Sequence, residues 1–248
     1  MILKAQNALE EDESLTATGQ MLSKLPVDVA LGKMLILGTV FHQIDAVLSL
    51  AAALSVQNPF TNDAYKNEDC IAARRQLDSD HGDPITLFNA YKEWLDVKAK
   101  QKENSRRWCR KRGLEEQRFY EMSKLREQFK DLLIDAGLLD HAEKALSSAD
   151  RQKRHGELKH LKQMKRDFHK NEASEGGKKK ILKLNNFTLT DIDHDDDSDK
   201  IDIKDIEFRM RNGRGSVIKN ISYKDLTLLK VILASGLYPQ LSIGQVCH

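Results

Sequence analysis

The fold of this chain is built around residues 15–60, LTATGQMLSKLPVDVALGKMLILGTVFHQIDAVLSLAAALSVQNPF. Only three charged side chains, those of Asp28, Lys33 and Asp45, occur between positions 27 and 56, although charged residues make up 31% of the whole chain. Apolar side chains at this density have to be covered by protein, because their exposure to water is unfavourable. We therefore expect this stretch to form the core of a mainly helical domain.

Capping residues predict three helices in series within the stretch. Thr16 starts the first helix, which ends at Pro26, because proline disfavours the helical conformation of the residue before it. Asp28 caps the second helix, and the third begins at Gln43 and ends before Pro59. This periodicity predicts architecture, and by itself it does not distinguish one function from another.

The exact residues of several segments, beyond their periodicity, resemble those of a known protein family. The pattern LTxxGxxLxxLPVD (15–28) is followed by LGKMLILG (31–38), AAALSVQNPF (51–60), GDPITLFNAYKEW (82–94) and WCRKRGLEEQRFYEMSKLREQF (108–129). In this order the segments resemble the C-terminal region of the DEAH-box RNA helicases. The resemblance implies the end of a winged-helix domain followed by the helical ratchet, or helicase-associated, domain.

Two details extend this resemblance. The segments at 72–88 and 105–116 look closest to the family member that is linked to nonsense-mediated mRNA decay. Matched family positions imply structural roles for the following residues: Leu15, Thr16, Gly19, Leu25, Pro26, Lys33, Trp94 and Trp108.

Four more helices are predicted downstream of this stretch. They are expected at Ala64–Leu77, at Pro84 to about Lys100, from Asn104 or Ser105 to Gly113, and at Leu114–Ala136. The last is the clearest amphipathic helix, and we expect Phe129 on its apolar face to be buried.

Five cations surround Trp108 within seven residues, and they form the densest basic patch of the expected ordered region. A solvated helix face accounts for such a run about as well as contact with RNA phosphates does. The family resemblance favours RNA, because the ratchet domain of these helicases lines one wall of the RNA channel. The candidate RNA contacts, chosen for their charge, are Arg74, Arg75, Lys98, Arg106, Arg107, Arg110, Lys111 and Arg112.

The composition changes at His141, where a highly charged region begins. It predicts a long, weakly supported helix at 141–183 that passes into a flexible GGKKK segment at 176–180. A disordered acidic run is expected at Asp191–Asp205, followed by a short basic turn at Phe208–Gly215. The acidic run is not a good EF-hand, because an aspartate stands where the calcium loop needs glycine.

A last helix is predicted from Ser222, which forms a capping box with Asp225, to Gly236 as its stop. This segment resembles the helix that returns to the ratchet domain and leads into an oligonucleotide-binding (OB) fold. The expected organisation is a winged-helix remnant (1–26), a ratchet domain (27–140), a charged, largely disordered insert (141–222), a last ratchet helix leading to a truncated OB fold (223–240), and a divergent tail (241–248). We expect a truncated or alternatively spliced product.

Composition and motifs exclude several classes of function. The three widely spaced cysteines, Cys70, Cys109 and Cys247, argue for a reducing compartment, and no apolar run is long enough for a membrane span. The sequence contains no phosphate-binding Walker A loop, no Asp-Glu-Ala-His run and no metal-ligand spacing. We therefore expect no catalytic or metal site and no cofactor in this chain, and an intracellular location in the nucleus, the cytoplasm or both.

The resemblance implies an accessory function. ATP and magnesium would belong to the full-length helicases, so this chain alone is expected to be inactive as an enzyme. Its expected role is to guide single-stranded RNA and to support the absent ATPase motor domains, with RNA-surveillance or RNA-processing proteins as further partners and no DNA specificity. The alternatives are a helical protein-interaction module and a truncated product without independent activity.

Overall fold

The computed structural model describes residues 2–100, 104–140, 152, 155–166, 203–212, 218 and 221–238. Within these ranges the chain is helical or forms turns, and pairing between extended segments is limited to two isolated bridges, Leu9–Leu15 and Phe60–Leu114. The prediction of a mainly helical fold is confirmed. The chain divides into two compact units, one built from residues up to 142 and from 217 onward, and the other from residues between them.

The first unit contains both the core stretch and the last predicted helix. Its helices are α1 (Ile2–Ala5), α2 (Ala17–Leu22), α3 (Val29–Val40), α4 (Ile44–Ser55), α5 (Asp63–Lys66), α6 (Glu68–Arg74), α7 (Asp83–Lys100), α8 (Ser105–Arg110), α9 (Glu116–Asp135) and α12 (Tyr223–Leu237). In the second unit the described helices are α10 (155–166) and α11 (Ile203–Asn212).

Helix α4 lies at the centre of the first unit. Every residue from Ala46 to Ala53 is buried, because α4 packs against α3, α7 and α9. Helix α3 also packs against α2 and α12. Gly38 permits the close approach of α3 and α4, since a Cβ atom at this position would lie 2.9 Å from the Cβ of Val47.

An aromatic cluster links α7 to α9 beside α4. The rings of Trp94 and Phe119 are stacked with centroids 5.5 Å apart, and Tyr91 stacks against both of them. All three side chains are almost fully buried. The Tyr91 hydroxyl forms a 2.9 Å hydrogen bond with Ser123, and burial raises the pKa of Tyr91.

The predicted helix caps are present. Thr16 accepts a hydrogen bond from the Gly19 amide and Asp28 accepts one from the Ala30 amide, each at 2.9 Å. Asn104 caps α8 in the same way, and Ser222 with Asp225 forms the capping box of α12. Local side-chain chemistry of this kind acts within a few residues, which is why sequence alone locates it well.

Three predictions about local structure are wrong. The single helix expected at 64–77 is divided into α5 and α6, because the Asn67 side chain accepts hydrogen bonds from the Asp69 and Cys70 amides and starts a new helix. Gly236 does not stop α12, which continues to Leu237. Residues Phe208–Asn212, expected as a turn, belong to α11.

The first residues of the chain pack against the helical unit. Gln6 and Ala8 are buried, and the Gln6 amide donates to the carbonyl oxygens of Gly236 and Tyr238 at the end of α12. The Thr16 hydroxyl donates to the Asn7 carbonyl at 2.7 Å. Their assignment to a winged-helix remnant stays a prediction, as do the other domain boundaries.

The positions matched to the family motif have distinct environments. Leu25, Trp94 and Trp108 are buried, and Gly19 is packed so closely against the Ala8 carbonyl that no larger residue fits. Burial lowers the pKa of the Lys33 ammonium, whereas Leu15 is half-exposed. Pro26 is exposed at the end of the loop that follows α2, and Thr16 is the cap described above.

The second unit is described only by α10 and α11. Lys165 of α10 pairs with Glu207 of α11 at 2.5 Å, and Ile206 is buried. Residues 203–205, the end of the acidic run that was expected to be disordered, belong to α11. The flexible segment predicted at 176–180, residues 191–202 of the acidic run, the tail at 241–248 and Cys247 lie outside the described residues. Among the helices that the structure describes, none combines the length and the apolar character needed to cross a lipid bilayer.

Candidate nucleic-acid interface

Helix α8 separates apolar and cationic side chains over less than two turns. Ser105, Trp108 and Cys109 are buried, whereas the intervening cations are exposed. This pattern follows the helical period, because residues three and four apart share one face. The exposed cations of α8 and of the turn after it are Arg106, Arg107, Arg110 and Lys111.

The turn after α8 is held firmly against the loop that leads into α5. The amide and the hydroxyl of Thr61 both donate to the Gly113 carbonyl, at 2.8 Å and 2.9 Å, and the Glu115 amide donates to the Pro59 carbonyl at 2.9 Å. Gly113 has φ +63° and lies so close to α5 that a Cβ atom would be 2.4 Å from the Ala64 nitrogen. These contacts therefore hold the backbone that carries the α8 cations in a fixed position.

Lys98 is one of three candidates whose side chains are engaged inside the protein. Its ammonium lies 3.2 Å from Glu116 Oε1, donates to the Tyr120 hydroxyl at 2.6 Å and lies 5.6 Å from the centre of the Trp94 ring. The same Glu116 oxygen accepts hydrogen bonds from Ser105 Oγ at 2.5 Å and from Trp94 Nε1 at 3.1 Å. Lys98 thus stabilises the junction of α7, α8 and α9.

Arg74 is the second engaged candidate. Its guanidinium pairs with Asp78 at 3.1 Å and lies 4.9 Å from the centre of the Tyr65 ring and 5.4 Å from that of Phe60. The neighbouring Arg75, which follows the end of α6, is exposed. Two adjacent arginines therefore have different environments.

Arg112 is the third engaged candidate. It donates to the Trp108 carbonyl at 3.2 Å, and its guanidinium lies 4.4 Å from the centre of the Trp108 ring. A cation over the face of tryptophan is attracted by the ring quadrupole, so this contact stabilises the end of α8.

The eight predicted RNA contacts fall into two groups. Three are half-buried and make the contacts described above, and five are exposed: Arg75, Arg106, Arg107, Arg110 and Lys111. Sequence alone could not show the contact of Lys98 with Glu116 or that of Arg74 with Tyr65, because each partner comes from another helix. Asp78 and Trp108, in contrast, each lie only four residues from the arginine that they contact. RNA contact stays a prediction for all eight residues.

Sequence reasoning missed Tyr65, an aromatic side chain in the polar segment between residues 61 and 69. It is 55% exposed and lies on α5, directly after the residue that contacts Gly113. An aromatic residue inside an otherwise polar segment was the signal that could have drawn attention to it.

The chemistry of these groups is that of a binding surface. Exposed guanidinium and ammonium groups donate hydrogen bonds to phosphate oxygens and displace counterions. Burial raises the pKa of the Cys109 thiol far above its ordinary value, and burial also raises that of Cys70, so neither is a reactive thiolate. Over the residues that the structure describes, histidine, cysteine and acidic side chains form no metal-binding cluster.

The chain is similar in sequence to known RNA helicases. The model of the "Helicase associated domain (HA2), ratchet-like" matches residues 28–127. The chain is 44% identical over 256 residues to the human "Probable ATP-dependent RNA helicase DHX34", covering 98% of this chain and 22% of that protein. Identity to the mouse protein of the same name is 43% over 257 residues, again with 98% and 22% coverage.

A plant relative shares the first part of the chain. The "DExH-box ATP-dependent RNA helicase DExH3" of Arabidopsis thaliana is 40% identical over 142 residues, which are 57% of this chain and 12% of that protein. The chain thus spans less than a quarter of the length of these relatives. Over almost its whole length the chain is therefore similar to part of a DEAH-box RNA helicase, and residues 28–127 match the ratchet-like, helicase-associated domain, as expected for the C-terminal region of such a protein.

Proposed function

We propose that this chain guides single-stranded RNA and supports a helicase motor located outside residues 1–248. The observation that carries the proposal is the exposed cationic face of α8, which is anchored from behind by buried Trp108 and Cys109. Phosphates of a single strand bind such a face without regard to sequence, because the attraction acts on the backbone. The role is passive: the ratchet helices hold the strand while nucleotide-driven domains would move it.

The test is fluorescence anisotropy of the full chain with a labelled single-stranded RNA over a salt series. Glutamine replaces the four exposed cations of α8 and its turn, Arg106, Arg107, Arg110 and Lys111. We expect weaker binding, and a slope of log affinity against log salt that is shallower by about 0.7 for each phosphate that is no longer neutralised.

A matched control removes exposed lysines from another helix. Lys124 and Lys130 lie on the exposed side of α9, and their replacement by glutamine should leave the slope nearly unchanged. A flat salt response of the unmodified chain, or equal effects of the two sets of replacements, would contradict the proposal. DNA of the same sequence tests the prediction that binding has no DNA specificity.

The parent activity and its partners belong to the same proposal. In a complete helicase, motor domains would bind ATP and magnesium, and the ratchet would act only together with them. The resemblance at 72–88 and 105–116 supports a parent that acts in nonsense-mediated mRNA decay, with RNA-surveillance or RNA-processing proteins as partners. Co-purification of the full-length parent protein with such factors, resistant to ribonuclease, is the direct test.

A protein-interaction module is a second candidate, favoured by apolar side chains on the outer side of α12. Tyr223 is 82% exposed, Val231 56% and Tyr238 57%. Scattered exposed apolar residues are common on single proteins, so this observation is weaker than the cationic face of α8. Self-association in light scattering together with absence of RNA binding would favour it.

A further inference from the structure

Tyr65 lies on α5, which packs against Gly113 in the turn after α8. Its ring is 55% exposed, although neighbouring Ala64 is fully buried against Gly113. The Cys70 thiol of α6 contacts the Arg110 carbonyl at 3.9 Å, so α6 also packs against the end of α8. The helices that carry Tyr65 and Cys70 are therefore both in contact with the backbone at the end of α8 and in the turn after it, where Arg110 and Lys111 lie.

The Tyr65 ring is supported from inside the protein. The Arg74 guanidinium lies 4.9 Å from the ring centre, and the Phe60 ring is inclined to it by 59° at a centroid distance of 6.3 Å. Asp78 holds the guanidinium through the 3.1 Å ion pair. A ring with such support loses little conformational freedom when a ligand stacks on its exposed side.

Gly113 fixes this ring relative to the cations. Its left-handed backbone and the missing Cβ atom allow the turn after α8 to touch the backbone of α5. The two hydrogen bonds from Thr61 to the Gly113 carbonyl close the junction at the start of α5. An exposed aromatic residue and a group of exposed cations are thereby carried by segments in backbone contact, a combination that proteins use to bind single strands by stacking and charge.

We propose that Tyr65 is a base-stacking platform on which an unpaired nucleobase of single-stranded RNA rests while Arg110 and Lys111 bind the adjoining backbone. The inference rests on the proposed RNA-guiding function and adds a contact to the bases themselves. Stacking needs only an aromatic face, so the platform accepts any base. Arg74 acts as a positioning residue beneath the ring and does not touch the RNA.

The test uses the full chain, a single-stranded RNA carrying 2-aminopurine, and the variants Tyr65→Ala, Tyr65→Phe and Tyr65→Trp. Stacking quenches 2-aminopurine fluorescence, so the unmodified chain should quench it and Tyr65→Ala should not. We expect Tyr65→Ala to weaken binding about 5- to 150-fold, the loss typical of one stacked base. Tyr65→Phe and Tyr65→Trp should retain both affinity and quenching.

The salt dependence distinguishes this inference from the proposed function. Tyr65→Ala should bind with an unchanged salt slope, because stacking releases no counterions, whereas the α8 replacements reduce the slope. Tyr223→Ala is the matched control, since Tyr223 is 82% exposed on α12 and should not affect quenching. Thermal unfolding of each variant checks that the fold is retained, and Tyr65→Phe and Tyr65→Trp report on stacking if Tyr65→Ala does not fold.

Each remaining outcome contradicts a defined claim. Salt-dependent binding of the unmodified chain without quenching, or with the same affinity for Tyr65→Ala, overturns the stacking platform and leaves RNA guidance standing. Equal losses for Tyr65→Ala and Tyr223→Ala overturn the platform in favour of a diffuse apolar effect. An unmodified chain that does not bind RNA overturns both.

Discussion

Glycine occurs at position 236 for a reason that the neighbouring residues in sequence do not reveal. A Cβ atom at this position would lie 2.2 Å from Met34 Cγ and 3.1 Å from the Ala30 carbonyl oxygen, so α12 touches α3 directly. The sequence pattern predicted a helix stop here, because glycine near a helix end usually has that role. The actual reason for glycine lies about two hundred residues away along the chain, which no local pattern can show.

Gly236→Ala should therefore destabilise the protein even though alanine is the better helix former. Overpacking costs about 1–3 kcal/mol, and the gain in helix propensity offsets roughly 1 kcal/mol of it, so we expect the free energy of unfolding to fall by up to about 2 kcal/mol. Urea unfolding measures this change. Met34→Ala, which alone leaves a cavity, should cost less when it is combined with Gly236→Ala, because the new methyl group fills part of the space.

Gly156 provides the control for this prediction. It lies in α10, and a Cβ atom there would have no neighbour within 4 Å. Gly156→Ala should be neutral or slightly stabilising, because only helix propensity changes. The prediction is contradicted if Gly236→Ala leaves the free energy of unfolding unchanged, or if its effect and that of Met34→Ala simply add in the double variant. Either result would mean that α3 and α12 can move apart without cost.

At the scale of elements, helix starts were predictable and helix interruptions were not. The side chains of four residues accept hydrogen bonds from backbone amides two or three residues further along the chain, so the nearby sequence is enough to identify them as helix caps: Thr16, Asp28, Asn104 and Ser222. The break between α5 and α6 depends instead on Asn67 competing with a helix that could have continued. The same is true of the candidate site, because its charges are evident from the sequence, whereas the contacts of Lys98 with Glu116 and of Arg74 with the Tyr65 ring are not.

The capping box of α12 has a testable pH dependence. Hydrogen bonds from the Ser222 side chain and backbone, with a further one from the Gln43 amide, hold the pKa of Asp225 below its ordinary value of 3.8. A carboxyl group whose pKa is lowered on folding stabilises the protein above the unfolded value, and this stabilisation is lost as the pH falls through the folded value. The capping contribution should therefore be complete above pH 3.8 and disappear below it.

Comparison of the unmodified chain with Asp225→Asn measures this contribution. The difference in unfolding temperature should be constant near neutral pH and should shrink as the pH is lowered below 3.8, since protonation of Asp225 removes the same charge. A difference that is independent of pH would show that the negative charge of Asp225 is not what stabilises α12.

At the scale of the whole molecule, the first unit is assembled from two separate parts of the chain. The helices up to α9 leave one side of α3 to be covered by α12, whose buried side chains are Leu229, Ile232 and Leu233. The helical period predicts Leu226, Leu229, Ile232 and Leu233 as inward residues of this helix, and all but the half-buried Leu226 are buried. The family resemblance predicts that the helix returns to the domain. Their packing partner on α3 could be identified only from the structure.

This assembly predicts that residues 1–140 alone are only marginally folded. Covering three large aliphatic side chains contributes roughly 5–9 kcal/mol, which is comparable to the total stability of a typical domain. A separate peptide of residues 221–238 should bind this fragment and raise its unfolding temperature in proportion to the logarithm of peptide concentration. The same peptide with Leu229→Asp should have no effect, because a charge would replace a fully buried side chain. If the fragment unfolds cooperatively at the same temperature with and without the peptide, α12 is an attachment to a domain that is complete without it.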